Sequence, residues 1–179
     1  MRGITGGNPG LTSGNGAQLR LSLSRVCALL IVVCVSIQPL VAQEVEPLSD
    51  DQVAVLKVVD AIFDAMRASD GEALRALLTD DATLVSTSDR DGRSSIRTTP
   101  ASSWVESVAS SAPGRLNEII NNPIAFVDQH LAVVWAPYRF HLGDEFQHCG
   151  VNVLEMIRTE TGWRVFQLAD TRRQEGCDP

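Results

Sequence analysis

Long apolar runs are missing from this 179-residue chain: the densest, residues 26–36, is about half the roughly 20 residues a membrane-spanning helix needs. Also missing is the strand–turn–helix glycine motif that cradles nucleotide phosphates, and no cofactor is expected. The three histidines, His130, His141 and His148, do not form a metal pattern by spacing, so no zinc or iron site is expected. No Ser-His-Asp or Cys-His arrangement can be assigned, because nothing marks a strained nucleophile turn or convergent oxyanion donors. Basic side chains are outnumbered, 15 Lys and Arg against 22 Asp and Glu, for a formal net charge of −7. That acidity disfavours nonspecific association with nucleic acid or anionic lipid, while a local basic pocket can still hold a small anion.

What is present starts with a leader unlike the remainder. Residues 1–19 are rich in Gly, Ser, Thr and Asn, Arg20 and Arg25 follow, and CALLIVVCVS leads on to Ile37, Leu40, Val41 and Ala42. That succession of basic region, apolar region and small residue reads as a disordered leader and secretory signal peptide over residues 1–42, cut between Ala42 and Gln43. An uncleaved anchor is the alternative, since residues 21–24 and 37–41 extend the apolar core and Leu40 is not a small residue. Cleavage implies a periplasmic or secreted protein with no stable membrane association. It leaves 12 basic side chains against 22 acidic ones.

Cys27 and Cys34 depart with that segment, and Cys149 and Cys177 remain. An exported chain can join the remaining pair in a disulfide. Closing that loop would stabilise the fold by roughly 2 to 4 kcal/mol, mainly by restricting the unfolded chain. Two free thiols are the alternative, and a nucleophilic Cys149 would need a lowered thiol pKa.

Residues 43–48 read as a short polar linker and residues 49–177 as one domain. Ser49 can cap a helix, Gln52 completes a capping box, and Leu48 can staple onto Val53. Val53, Leu56, Val59, Ile62 or Phe63, and Met66 then form an apolar stripe over about five helical turns. Asp70 can cap a second, shorter helix that buries Leu74, Leu77 and Leu78 and leads into a strand over 82–86. Residues 87–91 read as a polar turn and 92–99 as a poor edge strand or a loop. Pro100 opens a short helix over 101–109 with Trp104, Val105 and Val108 on its buried face.

A strand over 115–127 slips at 121–123, where Pro123 argues for an edge position, a bulge or a break. Residues 131–173 then hold three β-rich runs, separated by turns at 142–144 and 160–162 at spacings that suit successive hairpins. Pro137 suggests a bend in the first of them. Helices ahead of one long antiparallel meander make an α+β domain. The bent strands favour a curled sheet closed over by the helices, with a cavity at its wide end.

Period-two reading puts Val133, Trp135, Pro137, Arg139 and His141 on one face, and Val134, Ala136, Tyr138 and Phe140 on the other. In the next run Phe146, His148, Gly150, Asn152, Leu154 and Met156 fall together. In the last, Trp163, Val165, Gln167 and Ala169 oppose Arg164, Phe166, Leu168, Asp170 and Arg172, unless a bulge exchanges the faces. Both faces are substantially apolar, so one should meet the helices and the other a partner subunit. Polar groups embedded there must be paired if buried. Candidate catalytic groups are His148, Asp170 and Tyr138, with Asp170 alternatively ion-paired to Arg172 or Arg139. Candidate ligand-binding groups are Trp104, Trp135, Arg139, Asn152 and Arg172.

The helical segment DQVAVLKVVDAIFDAMRASDGEALRALLTDDATLVS and the meander VVWAPYRFHLGDEFQHCGVNVLEMIRTETGWRVFQLADTRR, with the terminal GC, resemble the NTF2-like superfamily, in particular SnoaL-like and DUF4440-like exported bacterial proteins. The resemblance covers roughly residues 49–177. It implies an NTF2-like (cystatin-like) cone, with N-terminal helices packed on a strongly curved mixed or mainly antiparallel sheet, and a homodimer formed through the outer sheet face. It implies a pocket for a small, largely apolar or carbonyl-containing ligand. Relatives also include cofactor-independent isomerases, lyases and hydrolases, for which a pocket His or Asp would be the base, and purely structural dimerisation modules.

Overall fold

Ser49 opens the first helix as the sequence requires: its hydroxyl accepts from Gln52 N at 3.2 Å, and the Gln52 side chain accepts from Ser49 N at 2.9 Å. The computed structural model describes residues 46–177, except Asp91 and the side chain of Arg90. The expected signal segment, its cut between Ala42 and Gln43, and the start of the linker lie outside the described residues. Helix α1 runs Asp50–Ala68 and ends at Ser69, whose left-handed backbone (φ 60°) breaks the helical path. Its buried face is Val55, Val59, Ile62, Phe63 and Met66. Leu48 and Val53 stay exposed, so the helix is rolled away from the expected staple. Helix α2 (Gly71–Ala76) is capped by the Asp70 carboxylate on Ala73 N at 2.9 Å, and α3 (Ala101–Ala109) follows Pro100.

Seven strands follow: β1 (Leu78–Arg90), β2 (Arg93–Pro100), β3 (Leu116–Ile120), β4 (Ile124–Asp128), β5 (Leu131–Leu142), β6 (Glu145–Thr159) and β7 (Gly162–Arg172). Their order is β2-β1-β7-β6-β5-β3, with β4 also paired to β5. Only β1 and β7 run parallel, so the sheet is mixed. The expected strand over 115–127 breaks at residues 121–123, where Asn122 takes φ 45°. Thus β3 pairs the second half of β5 and β4 the first half.

The strongly curved, closed cone expected above does not form. The strand order runs open from β2 to β3, and among the described residues no pairing joins the two ends. One end is the exposed strand β2, paired only to β1; at the other, the edge of β5 is divided between two five-residue strands. The polar turn expected at 87–91 is likewise absent, because β1 continues to Arg90 and pairs with β2 from Thr83 to Arg90.

The helices cover one face of this open mixed sheet, where Ala132, Val134, Ala136 and Tyr138 of β5 and Gly150, Asn152, Leu154 and Met156 of β6 are buried. In β7 strict alternation fails: Glu155 pairs Gln167 but Met156 pairs Val165, leaving Phe166 as an extra residue. The bulge puts Trp163 and Val165 in the core together with Leu168 and Asp170. On the opposite face Ile124 (54% exposed), Phe126 (64%) and Trp135 (49%) form part of an apolar surface.

Candidate functional site

Strand register builds the site. Asn152 on β6 pairs Asp170 on β7, Asp170 pairs Ser86 on β1, and Ser86 pairs Arg97 on β2. One residue row therefore carries an amide, a carboxylate, a hydroxyl and a guanidinium across four strands. Among the described residues Asn152 and Asp170 are the buried polar ones, at 2% and 6% exposure. Burial without partners would be costly, and both are satisfied. Asp170 Oδ2 accepts from Arg172 Nε at 2.6 Å and from the Tyr138 hydroxyl at 3.3 Å, and Asn152 Nδ2 donates to Glu118 Oε1 at 2.6 Å.

Gly150 makes this arrangement possible. A Cβ there would lie 1.7 Å from the Thr171 carbonyl oxygen, so only glycine admits the β7 backbone. Beside it the β6–β7 ladder opens, and Val151 N donates to Thr171 Oγ1 at 3.1 Å. The Thr171 carbonyl is left to accept from the Tyr138 hydroxyl at 3.0 Å. The single phenolic proton is thus shared between a carbonyl and a carboxylate, both within β7.

Electrostatics divides the ionisable groups. Glu118 is half-buried as a residue but its carboxyl lies deep, and that burial lifts its pKa to about 7. The Asn152 hydrogen bond works the other way, and the Asp170 charge adds to the rise. Burial also raises the Tyr138 pKa, assisted by Asp170 and Glu118, so the phenol stays protonated. His148 is pushed down, first by burial and then by the Arg172 charge, with Asp170 opposing. For Arg172 burial disfavours the cation, but the hydrogen bond and charge of Asp170 outweigh it and the pKa rises.

Met66 of α1, Trp104 of α3, Leu116 and Glu118 of β3, Phe140 of β5, and His148, Asp170 and Arg172 border a cavity of about 250 Å³. Of the sequence-derived candidates, Trp104, His148, Asp170 and Arg172 are brought together there. Tyr138 and Asn152 stand behind them, holding Asp170 and Glu118. His148 makes ring contacts with Phe140 at 5.0 Å and Tyr138 at 5.7 Å, while the Asp170 carboxylate is taken up by Arg172 and Tyr138. Trp135 sits on the outer face opposite Ile124 and Val153. Arg139 lies over the Phe146 ring at 5.0 Å and borders a separate hollow with Cys149 and Tyr138.

Sequence reading passed over Glu118. Its signal was present: Leu116, Glu118 and Ile120 alternate on one face of β3, which sets a carboxylate among apolar neighbours. Reading residues 115–127 as one slipping strand hid that alternation. Ser86 and Arg97 were missed for another reason, since their alignment with Asp170 depends on a parallel β1–β7 pairing that joins distant segments.

Cys149 and Cys177 form a disulfide with Cα atoms 5.8 Å apart. It fastens the tail beside β6, where Cys149 and Arg173 exchange two backbone hydrogen bonds of 2.9 Å. Among the described residues no group of three or more His, Cys, Asp and Glu is placed to hold a metal. No helix among them is long and apolar enough to cross a membrane.

Helices on an open mixed sheet with a polar-backed cavity make an α+β domain whose fold is that of NTF2-like, or cystatin-like, proteins. An NTF2-like protein of unknown function from Shewanella baltica aligns at 12% identity with a TM-score of 0.54, covering 69% of this chain and 94% of that one. An NTF2-like protein with a cystatin-like fold from Novosphingobium aromaticivorans aligns at 13% identity, TM-score 0.54, covering 88% and 94%. A protein of unknown function with a cystatin-like fold from Nostoc punctiforme aligns at 8% identity, TM-score 0.55, covering 69% and 91%. Identities this low speak to fold alone. None of the curated proteins matches this chain. Over residues 50–167 the sequence matches the family described as "Putative lumazine-binding", and the chain belongs to that family.

Proposed function

We propose that this domain binds a small, largely apolar or carbonyl-containing molecule in the cavity between its helices and its sheet. The supporting observation is the cavity's two-sided lining. Met66, Trp104, Leu116 and Phe140 offer apolar contact, and Glu118, His148 and Arg172 offer hydrogen bonds. The family description points the same way, since a lumazine is a flat bicycle bearing ring carbonyls and N–H groups. A carboxyl with pKa near 7 is half protonated at neutral pH, so Glu118 can donate to a carbonyl or accept from an N–H. Calorimetry and tryptophan fluorescence with lumazine and a panel of apolar ketones test this reading. Binding that is weakened by Trp104→Ala and by Leu116→Trp, which fills the cavity, supports it. A panel without any binding to folded protein rejects it.

Glu118 also supports a second reading, a cofactor-independent isomerase, lyase or hydrolase. A group titrating near neutrality beside a cavity suits proton transfer. His148, held neutral, and Asp170 are the further candidate bases, with Tyr138 fixing Asp170 in place. Turnover of a bound carbonyl compound that disappears in Glu118→Gln but leaves binding intact would establish it. Unchanged turnover in that variant would remove Glu118 from the mechanism.

The same reading takes the protein to be exported after cleavage between Ala42 and Gln43, to act in the periplasm or outside the cell, and to resemble SnoaL-like and DUF4440-like proteins. The Cys149–Cys177 disulfide supports export, because such links persist in oxidising compartments. Cell fractionation and N-terminal sequencing check it, and a cytosolic protein retaining its first 42 residues would refute it. The apolar outer face around Phe126 and Trp135 supports a homodimer.

A further inference from the structure

The cavity does not end at Arg172. His148 and Arg172 also border a wider open hollow of about 1020 Å³, walled by the inward row of β1 and β2 and by the tail after β7. We propose that this hollow is an anion-binding vestibule, and that the ligand is an amphipathic organic acid. Its apolar part occupies the inner cavity, and its carboxylate or phosphate group meets Arg97 and Arg172. This deepens the small-ligand reading above and rests on it.

Arg97 is exposed and aligned with Ser86, and among the described residues its guanidinium engages no hydrogen bond or ion pair. Arg172 is held rather than spent. Its Nε bonds Asp170 and one terminal nitrogen donates to Ser86 Oγ at 3.0 Å, which leaves several of the five guanidinium N–H groups for a ligand. Asp170 fixes the fork in place, so little side-chain entropy remains to be lost on binding. Ser88 and Ser95, bonded to each other at 2.8 Å, add hydroxyls to the same wall. The hollow also carries Arg173 and two acids, Asp89 and Glu175. Asp89 turns a carboxylate oxygen to Gly92 N at 3.0 Å. In a chain with an excess of acid, an unpaired arginine beside a pre-oriented one is the arrangement that selects an anion.

Matched probes test this on the disulfide-bonded protein: 2-naphthoate, 2-naphthyl phosphate, the neutral methyl 2-naphthoate and the cationic 2-naphthylmethylamine, by calorimetry at low and high ionic strength. At low salt at least one anion should bind about tenfold more tightly than the ester, the gain of one or two charge-assisted hydrogen bonds. That preference should shrink with salt and collapse in R97Q, an exposed edge-strand change whose folding a thermal melt verifies. Whichever anion is favoured identifies the headgroup. Equal binding of ester and anions, or a preference for the amine, overturns the vestibule and leaves the cavity reading standing. If none of the four probes binds, the vestibule falls, and the lumazine and ketone panel decides the cavity reading separately.

Discussion

Asn152 Nδ2 donates to Glu118 Oε1 at 2.6 Å across the whole width of β5, the strand that separates theirs. The bond couples the buried amide of β6 to a carboxyl on the short edge strand β3. It favours the ionised form of Glu118, yet burial dominates and leaves the group titrating near 7. A carboxyl so placed makes the domain's stability depend on pH.

Folding raises the proton affinity of Glu118 from the ordinary 4.5 to about 7. Its contribution is therefore fully present below pH 4.5 and is withdrawn as pH rises through the window from 4.5 to about 7. A shift of that size corresponds to up to about 3 kcal/mol. Glu118→Gln keeps an oxygen for Asn152 but cannot ionise, so it should match the wild type near pH 4.5 and exceed its stability at pH 8. Urea denaturation across that range measures the difference. A variant that is no more stable than wild type at pH 8 would show that Glu118 does not carry the shift.

Gly150→Ala should be among the most damaging single-methyl additions in the domain. The new Cβ would meet the Thr171 carbonyl at 1.7 Å, a contact that backbone cannot yield cheaply. Displacing Thr171 also breaks the Tyr138 bond to its carbonyl and disturbs the support of Asp170. A loss of about 3 kcal/mol, at the upper end for overpacking, is expected in chemical denaturation. A loss under about 0.5 kcal/mol, the scale of an unremarkable surface change, would mean the close approach is dispensable.

Local chemistry made much of this fold legible before the structure. Ser49 and Gln52 announced α1, Pro100 announced α3, and the alternation of strand side chains sorted most of β5 and β6 into faces. Three things escaped because they depend on contacts between distant segments. The bulge at Phe166 returns Leu168 and Asp170 to the face of Trp163 and Val165, which strict alternation forbids. The β1–β7 pairing brings Ser86 to Asp170, although 84 residues separate them in the chain. The open ends of the sheet follow from how β2, β3 and β4 divide its edges, and bends at individual prolines said nothing about that. Of the residues bordering the inner cavity, Trp104, His148, Asp170 and Arg172 were among the sequence-derived candidates, while Glu118 was not.

If the outer face joins two copies, charge placed on it should separate them. Phe126 and Trp135 lie on strands paired in register, Phe126 opposite Val133 and Trp135 opposite Ile124. Light scattering should give a dimer for the wild type and a monomer for Phe126→Glu combined with Trp135→Glu, with the cavity's ligand affinity retained. A wild type that remains monomeric at high concentration rejects the interface.

The Cys149–Cys177 link should stabilise the domain through its unfolded state. It closes a separation of 28 residues, for which chain-entropy reasoning gives about 3 to 4 kcal/mol. Cys177→Ser is the cleaner variant, because Cys149 is buried and its thiol can remain packed. That variant should lose about the same stability as the wild type loses on reduction, and reductant should then have no further effect on it. The tail carrying Gln174 and Glu175 also walls the vestibule, so releasing it should weaken the preference for an anionic probe more than the binding of the neutral ester. If reduction leaves both stability and anion preference unchanged, the tail is held by its backbone bonds to Cys149 rather than by the disulfide.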